Sequence, residues 1–126
     1  MTPDNFRKLA LTLPQSHESL HHNHPDFRVG KRVFATLGYP DSTWGMVKLT
    51  PAQQARFVGL NPKLFVPVKG AWGARGSTNV KLASATRAAL WPALVEAWKS
   101  TAPASVRAQH QDPAAGGPWG HPPAGK

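Results

Sequence analysis

Residues 26–49 constrain the fold of this chain more than any other stretch. Phe27-Arg28-Val29 and Arg32-Val33-Phe34-Ala35-Thr36-Leu37 are apolar-rich runs separated by Gly30-Lys31. Two such runs around a Gly-X pair predict a β-hairpin closed by a II′ turn, with Gly30 supplying the positive φ. That turn sets Val29 opposite Arg32 and Phe27 opposite Phe34. Trp44-Gly45-Met46-Val47-Lys48-Leu49 follows as a further strand, after a Gly38 to Ser42 loop dense in turn residues. Arg28, Lys31 and Arg32 crowd a tip expected to project from the body.

The charge distribution gives that tip its interest. The chain has 126 residues, one domain's worth, and a net charge of +9. Between Arg28 and Lys81 there are nine basic residues and one acid, Asp41. The excess therefore belongs to the folded middle, and it points to a polyanionic partner. Cysteine is absent, which removes disulfides, thiolate metal sites and a cysteine nucleophile. The apolar cluster Leu9 to Leu13 is interrupted by Thr12 and too short for a signal peptide or a membrane span. The expectation is a cytoplasmic, monomeric protein with no membrane contact.

The remaining elements follow from local signals. Thr2-Pro3-Asp4 caps and opens a helix whose Phe6, Leu9, Ala10 and Leu13 form one apolar stripe, stopped by Pro14. Ser16 to His22 is expected as a short edge strand, with a turn at Asn23-His24-Pro25-Asp26. Thr50-Pro51-Ala52-Gln53 is a capping box starting a second helix, which should end near Val58 with Gly59 as its C′ residue. Leu64 to Val68 and Ser77 to Leu82 read as strands of a second hairpin whose tip, Lys69 to Gly76, is basic, aromatic and glycine-spaced. The last helix lies between Thr86 and Ser100, and Pro92 requires it to start late or to kink. The expected class is α+β: an antiparallel sheet with hairpin wings, packed by N-terminal, middle and C-terminal helices. Residues 1–103 form the expected domain. Residues 104–126, rich in Pro, Gly and Ala, read as a disordered tail without apolar period from Val106 onward.

Several phrases taken in order resemble the MmcQ/YjbR family. They are His24-Pro25-Asp26-Phe27-Arg28-Val29, Val33 to Leu37, Lys48-Leu49-Thr50-Pro51 with Gln53-Gln54, and Pro67-Val68-Lys69-Gly70-Ala71-Trp72-Gly73 with Gly76, Thr78 and Leu82. The closing Ala97-Trp98 belongs to the same pattern, which spans about Pro3 to Ala102. The resemblance implies a double-wing, CyaY-like α+β domain and a DNA-binding role. The chain departs from the family pattern at Pro92 and at His21-His22-Asn23.

The expected site is the basic face of the two tips: Arg28, Lys31, Arg32, Lys48, Lys69, Arg75 and Lys81 on nucleic-acid phosphates, most simply DNA, with Trp72 placed to stack on an unpaired base. A core or lid role for Trp72, and a merely solvated basic face, are the competing structural readings. A module for a small anionic ligand or an acidic protein is the functional alternative. A metal enzyme built on His17, His21, His22 and His24 is weaker, because the i, i+4 pair His17 and His21 converges only on a helix that Pro14 and Pro25 leave little room for. The serines lack a nucleophile-elbow context. The expectation is a non-enzyme with no cofactor and no metal.

Overall fold

The computed structural model describes residues 1–21 and 23–110. Helix α1 (Pro3–Leu11) begins at Thr2, whose side chain accepts from the Asn5 amide, with Pro3 in the first turn. Strands β1 (Ser16–His21), β2 (His24–Val29), β3 (Arg32–Leu37) and β4 (Trp44–Lys48) form a meander. Helix α2 (Pro51–Leu60) is followed by β5 (Phe65–Pro67), the single turn α3 (Ala71–Ala74) and β6 (Ser77–Lys81). After a 3-10 turn at Leu82–Ser84 come α4 (Arg87–Thr101) and α5 (Ala104–Gln109). All six strands belong to one antiparallel sheet in the order β1-β2-β3-β4-β6-β5. The α+β class expected from the sequence is the class observed.

Register explains why one face of this sheet is the core. Phe27, Ala35, Val47 and Thr78 lie opposite one another across four strands, as do Leu37, Gly45, Val80 and Phe65. All eight are buried, as one face of a pleated sheet must be when helices cover it. Phe6 of α1 lies so close over Gly45 that a Cβ there would come within 2.8 Å of its ring. Trp91, Leu94 and Trp98 of α4 fill the remaining space, and Trp98 Nε1 donates to the Pro14 carbonyl at 2.9 Å. Phe57 of α2 packs on Phe65 with ring centroids 5.4 Å apart. The opposite row, Asp26, Thr36, Met46, Asn79 and Val66, faces away from these helices.

Five local expectations are corrected. The β2–β3 register holds at the tip, where Val29 faces Arg32 around Gly30 at φ 63, but a bulge between Phe27 and Arg28 moves Phe27 opposite Ala35. The extra residue lets Phe34 and Ala35 both enter the core, which strict alternation forbids. The first turn is tighter than expected: Asn23 adopts φ 65, so His24 and Pro25 belong to β2. Pro25 is tolerated because the β2–β3 ladder starts one residue later, at Asp26 opposite Thr36. Helix α2 runs through Gly59 and stops at Asn61, because the residue before Pro62 is driven out of the helical region.

The last two corrections concern the C-terminal part. Helix α4 does not start late, since Thr86 caps it and Pro92 sits inside with its ring exposed to solvent. An interior Pro costs about 3 kcal/mol, but burying large apolar side chains returns about 1.5–3 kcal/mol each, and α4 buries Leu90, Trp91, Leu94, Val95 and Trp98. The expected tail is not structureless at its start, because residues 104–109 form α5. The rest of that tail, from residue 111, lies outside the described residues.

Candidate functional site

The connections at one end of the sheet enclose a groove of about 610 Å³. Its floor is Leu49-Thr50-Pro51, where β4 passes into α2. The capping box fixes that floor: Thr50 Oγ1 accepts from the Gln53 amide at 3.2 Å, and Gln53 Oε1 accepts from the Thr50 amide at 2.9 Å. Gln53 Nε2 also donates to Ser100 Oγ at 3.2 Å, which joins α2 to the end of α4. Ser100 and Thr101 thereby enter the lining, although nothing local in the sequence marks them.

One wall is the β2–β3 tip, with Lys31, Arg32 and Val33. This tip does not project freely. A Cβ at Gly30 would meet Pro103 Cγ at 3.0 Å, so the Pro103 ring braces one side of the turn while Gly30, Lys31 and Arg32 remain exposed.

The other wall is α3 and the turn after it, contributing Trp72, Arg75 and Ser77. The glycines expected as turn residues here have distinct duties. A Cβ at Gly73 would lie 1.5 Å from the Val68 carbonyl oxygen, so α3 abuts the end of β5 backbone to backbone. Gly76, at φ 112, lies against the groove floor, with a Cβ position 2.0 Å from the Leu49 carbonyl oxygen. Gln54 Nε2 donates to the Gly73 and Ser77 carbonyls, both at 3.0 Å, and locks this wall to α2. Trp72 is 59% exposed, which removes the core reading of this residue. Lys48 Nζ and Arg75 Cζ lie 5.9 and 5.8 Å from its ring centroid, within cation–π range.

Lys31, Arg32, Lys48, Trp72 and Arg75 therefore meet in one groove, drawn from both tips and, for Lys48, from the end of β4. Among the described residues no carboxylate lies within 4.0 Å of these four cations, because the acids are engaged elsewhere. Asp4 pairs with Lys8 and Arg7, Glu18 with Arg7, Asp26 with Arg28 and Glu96 with Arg56. Asp41 accepts from both the hydroxyl and the amide of Thr43, and these bonds hold its carboxyl below the usual carboxylate range.

Three expected residues stand apart. Arg28 is committed to Asp26: Nε and Nη2 donate to the two carboxylate oxygens at 2.9 and 3.0 Å, and this bidentate pairing raises the guanidinium pKa. Asp26 is 3% exposed, so Arg28 serves a buried charge rather than the groove. Lys81 pairs with Trp44 at the opposite end of β6 from Ser77, about 13 Å away at the rise of a strand. Lys69 is exposed in the connection before α3 and does not line the groove.

The histidines do not converge. His17 faces Arg28 at one end of the β1–β2 pair and His21 faces His24 at the other, while the His24 ring packs tilted against Tyr39 with centroids 4.0 Å apart. Among the described residues no group of three or more His, Cys, Asp or Glu is placed to hold a metal ion; His22 lies outside them. Nor is any described helix long and apolar enough to cross a membrane.

Fold and groove together define a small basic α+β domain with a cationic, aromatic hollow between two sheet connections. The sequence model of the YjbR family matches residues 11–100, and the chain belongs to that family. No curated protein and no solved structure matches the chain.

Proposed function

We propose that the protein binds nucleic acid without catalysing a reaction on it, through the groove formed by Lys31, Arg32, Lys48, Arg75 and Trp72. The observation carrying this reading is the convergence of four cations from distant parts of the chain on one concavity that no described carboxylate shares. Uncompensated cations of this kind attract phosphates and release the counterions condensed on them.

Salt dependence supplies the test. If each groove cation meets one phosphate, log K falls with log salt at a slope of about 3.6 on a duplex or about 2.8 on a single strand. A fourfold rise in salt then weakens binding about 150-fold or about 50-fold, respectively. Lys48→Ala with Arg75→Ala halves the slope, whereas Lys81→Ala leaves it unchanged. A flat salt response, or an equal loss from Lys81→Ala, refutes the assignment.

A further inference from the structure

We infer that the ligand is a single strand, threaded from the Trp72 groove across Ser100 into a second basic hollow beside α5. This rests on the nucleic-acid reading above and narrows it to one class. The second hollow, of about 430 Å³, is lined by Trp98, Lys99, Ser100, Arg107 and His110. Ser100 lines both cavities, so the two adjoin at the end of α4.

Shape decides against a duplex. Double helices are read by convex elements that enter a groove about 12 Å wide or its narrower counterpart. Here the cations line hollows instead, and the β2–β3 tip, exposed at Gly30, Lys31 and Arg32, is braced on one side by Pro103. Cavities of 610 and 430 Å³ fall in the range of small-ligand sites, the scale of a nucleotide or two apiece. Trp72 adds an argument of its own. An exposed indole flanked by Lys48 and Arg75 offers a ring edge and face to a base and ammonium and guanidinium groups to its phosphates, and only an unpaired base has a face to offer in return. The pairing is sequence-tolerant, since every base has such a face.

Fluorescence anisotropy with labelled oligothymidylates of increasing length, and with a duplex of matched length, tests this at low salt. Single strands are expected to bind more tightly than the duplex. Trp72→Ala should weaken them about 5- to 160-fold, Trp72→Phe much less, with duplex affinity unmoved by either. Because Trp72 is exposed, neither variant endangers the fold. Lengthening the strand should raise affinity until both hollows are filled, and Arg107→Ala should abolish that late gain while sparing the shortest strand that binds. Duplex binding equal to or tighter than single-strand binding, lost with Lys48→Ala and Arg75→Ala but indifferent to Trp72→Ala, overturns the single-strand inference and leaves the nucleic-acid reading standing. Absence of binding to either form overturns both. A length gain untouched by Arg107→Ala refutes the path over Ser100.

Discussion

Replacing Gly73 by Ala tests whether the groove wall is built on backbone contact. The added Cβ would sit 1.5 Å from the Val68 carbonyl oxygen and 2.6 Å from its carbon. Real Cβ contacts essentially never fall below 3.0 Å, so α3 and the end of β5 must part by about 1.5 Å. Neither side yields easily, because Val68 N donates to the Ser77 carbonyl and Gly73 O accepts from both Gly76 N and Gln54 Nε2, each at 3.0 Å. Overpacking costs about 1–3 kcal/mol, and each hydrogen bond stretched out of range adds about 1 kcal/mol. The expected loss is about 2–4 kcal/mol, or about 10–20 °C in Tm for a domain of this size. Gly59→Ala is the matched control. Gly59 lies in α2 with nothing within 4 Å of its Cβ position, and Ala there should stabilise by about 0.5 kcal/mol through helix propensity. Calorimetry or urea unfolding of both variants reads the contrast. A Gly73→Ala protein within 0.5 kcal/mol of the parent, an amount typical of a neutral surface change, refutes the reasoning, and so does a Gly59→Ala protein that is the less stable of the two.

Two further outcomes follow from the charges. Asp26→Ala removes a bidentate, charge-assisted pair and should cost about 1.5–3 kcal/mol in urea unfolding, and much less when introduced beside Arg28→Ala; the salt slope of oligonucleotide binding should be unchanged in Arg28→Ala, because this side chain is spent on Asp26. Asp41 has a depressed folded pKa, so its contribution is complete above the unfolded carboxylate value of about 4 and is lost as pH falls through the folded value. Thermal melts should therefore separate Asp41→Asn from the parent at neutral pH and bring the two together in strong acid, and a gap that widens on acidification would contradict the Thr43 bonds.

What the sequence could and could not reveal divides by range. The tip around Gly30, the capping box at Thr50 and Gln53, and the stripe of α1 depend on residues within a few positions of each other, and all three are present. The bulge at Phe27 and Arg28 is different. It depends on the sheet accepting both Phe34 and Ala35 into the core, which is decided by the helices above them. Within the site, Lys31, Arg32, Trp72 and Arg75 are identifiable as basic or aromatic tip residues and Lys48 as a basic strand-end residue, and antiparallel pairing brings them together. Arg28 misleads because i, i+2 spacing on a strand puts it beside Asp26 on the same face, a pairing that outweighs its nearness to the turn. Ser100, Thr101 and Pro103 reach the groove and the tip only through packing across the molecule. Their local sequence reads as the end of a helix and nothing more.

The engagement of the described acids away from the groove gives dissolved ions two opposed roles. Lys31, Arg32, Lys48 and Arg75 repel one another across the groove they line. Supporting electrolyte relaxes that repulsion and so favours the empty folded chain, while the same ions compete with any polyanion for the same four positions. If the groove takes nucleic acid as proposed, buffers that prolong the shelf life of the free protein are those in which an oligonucleotide is hardest to capture, and the melting temperatures with and without oligonucleotide should converge as ionic strength rises.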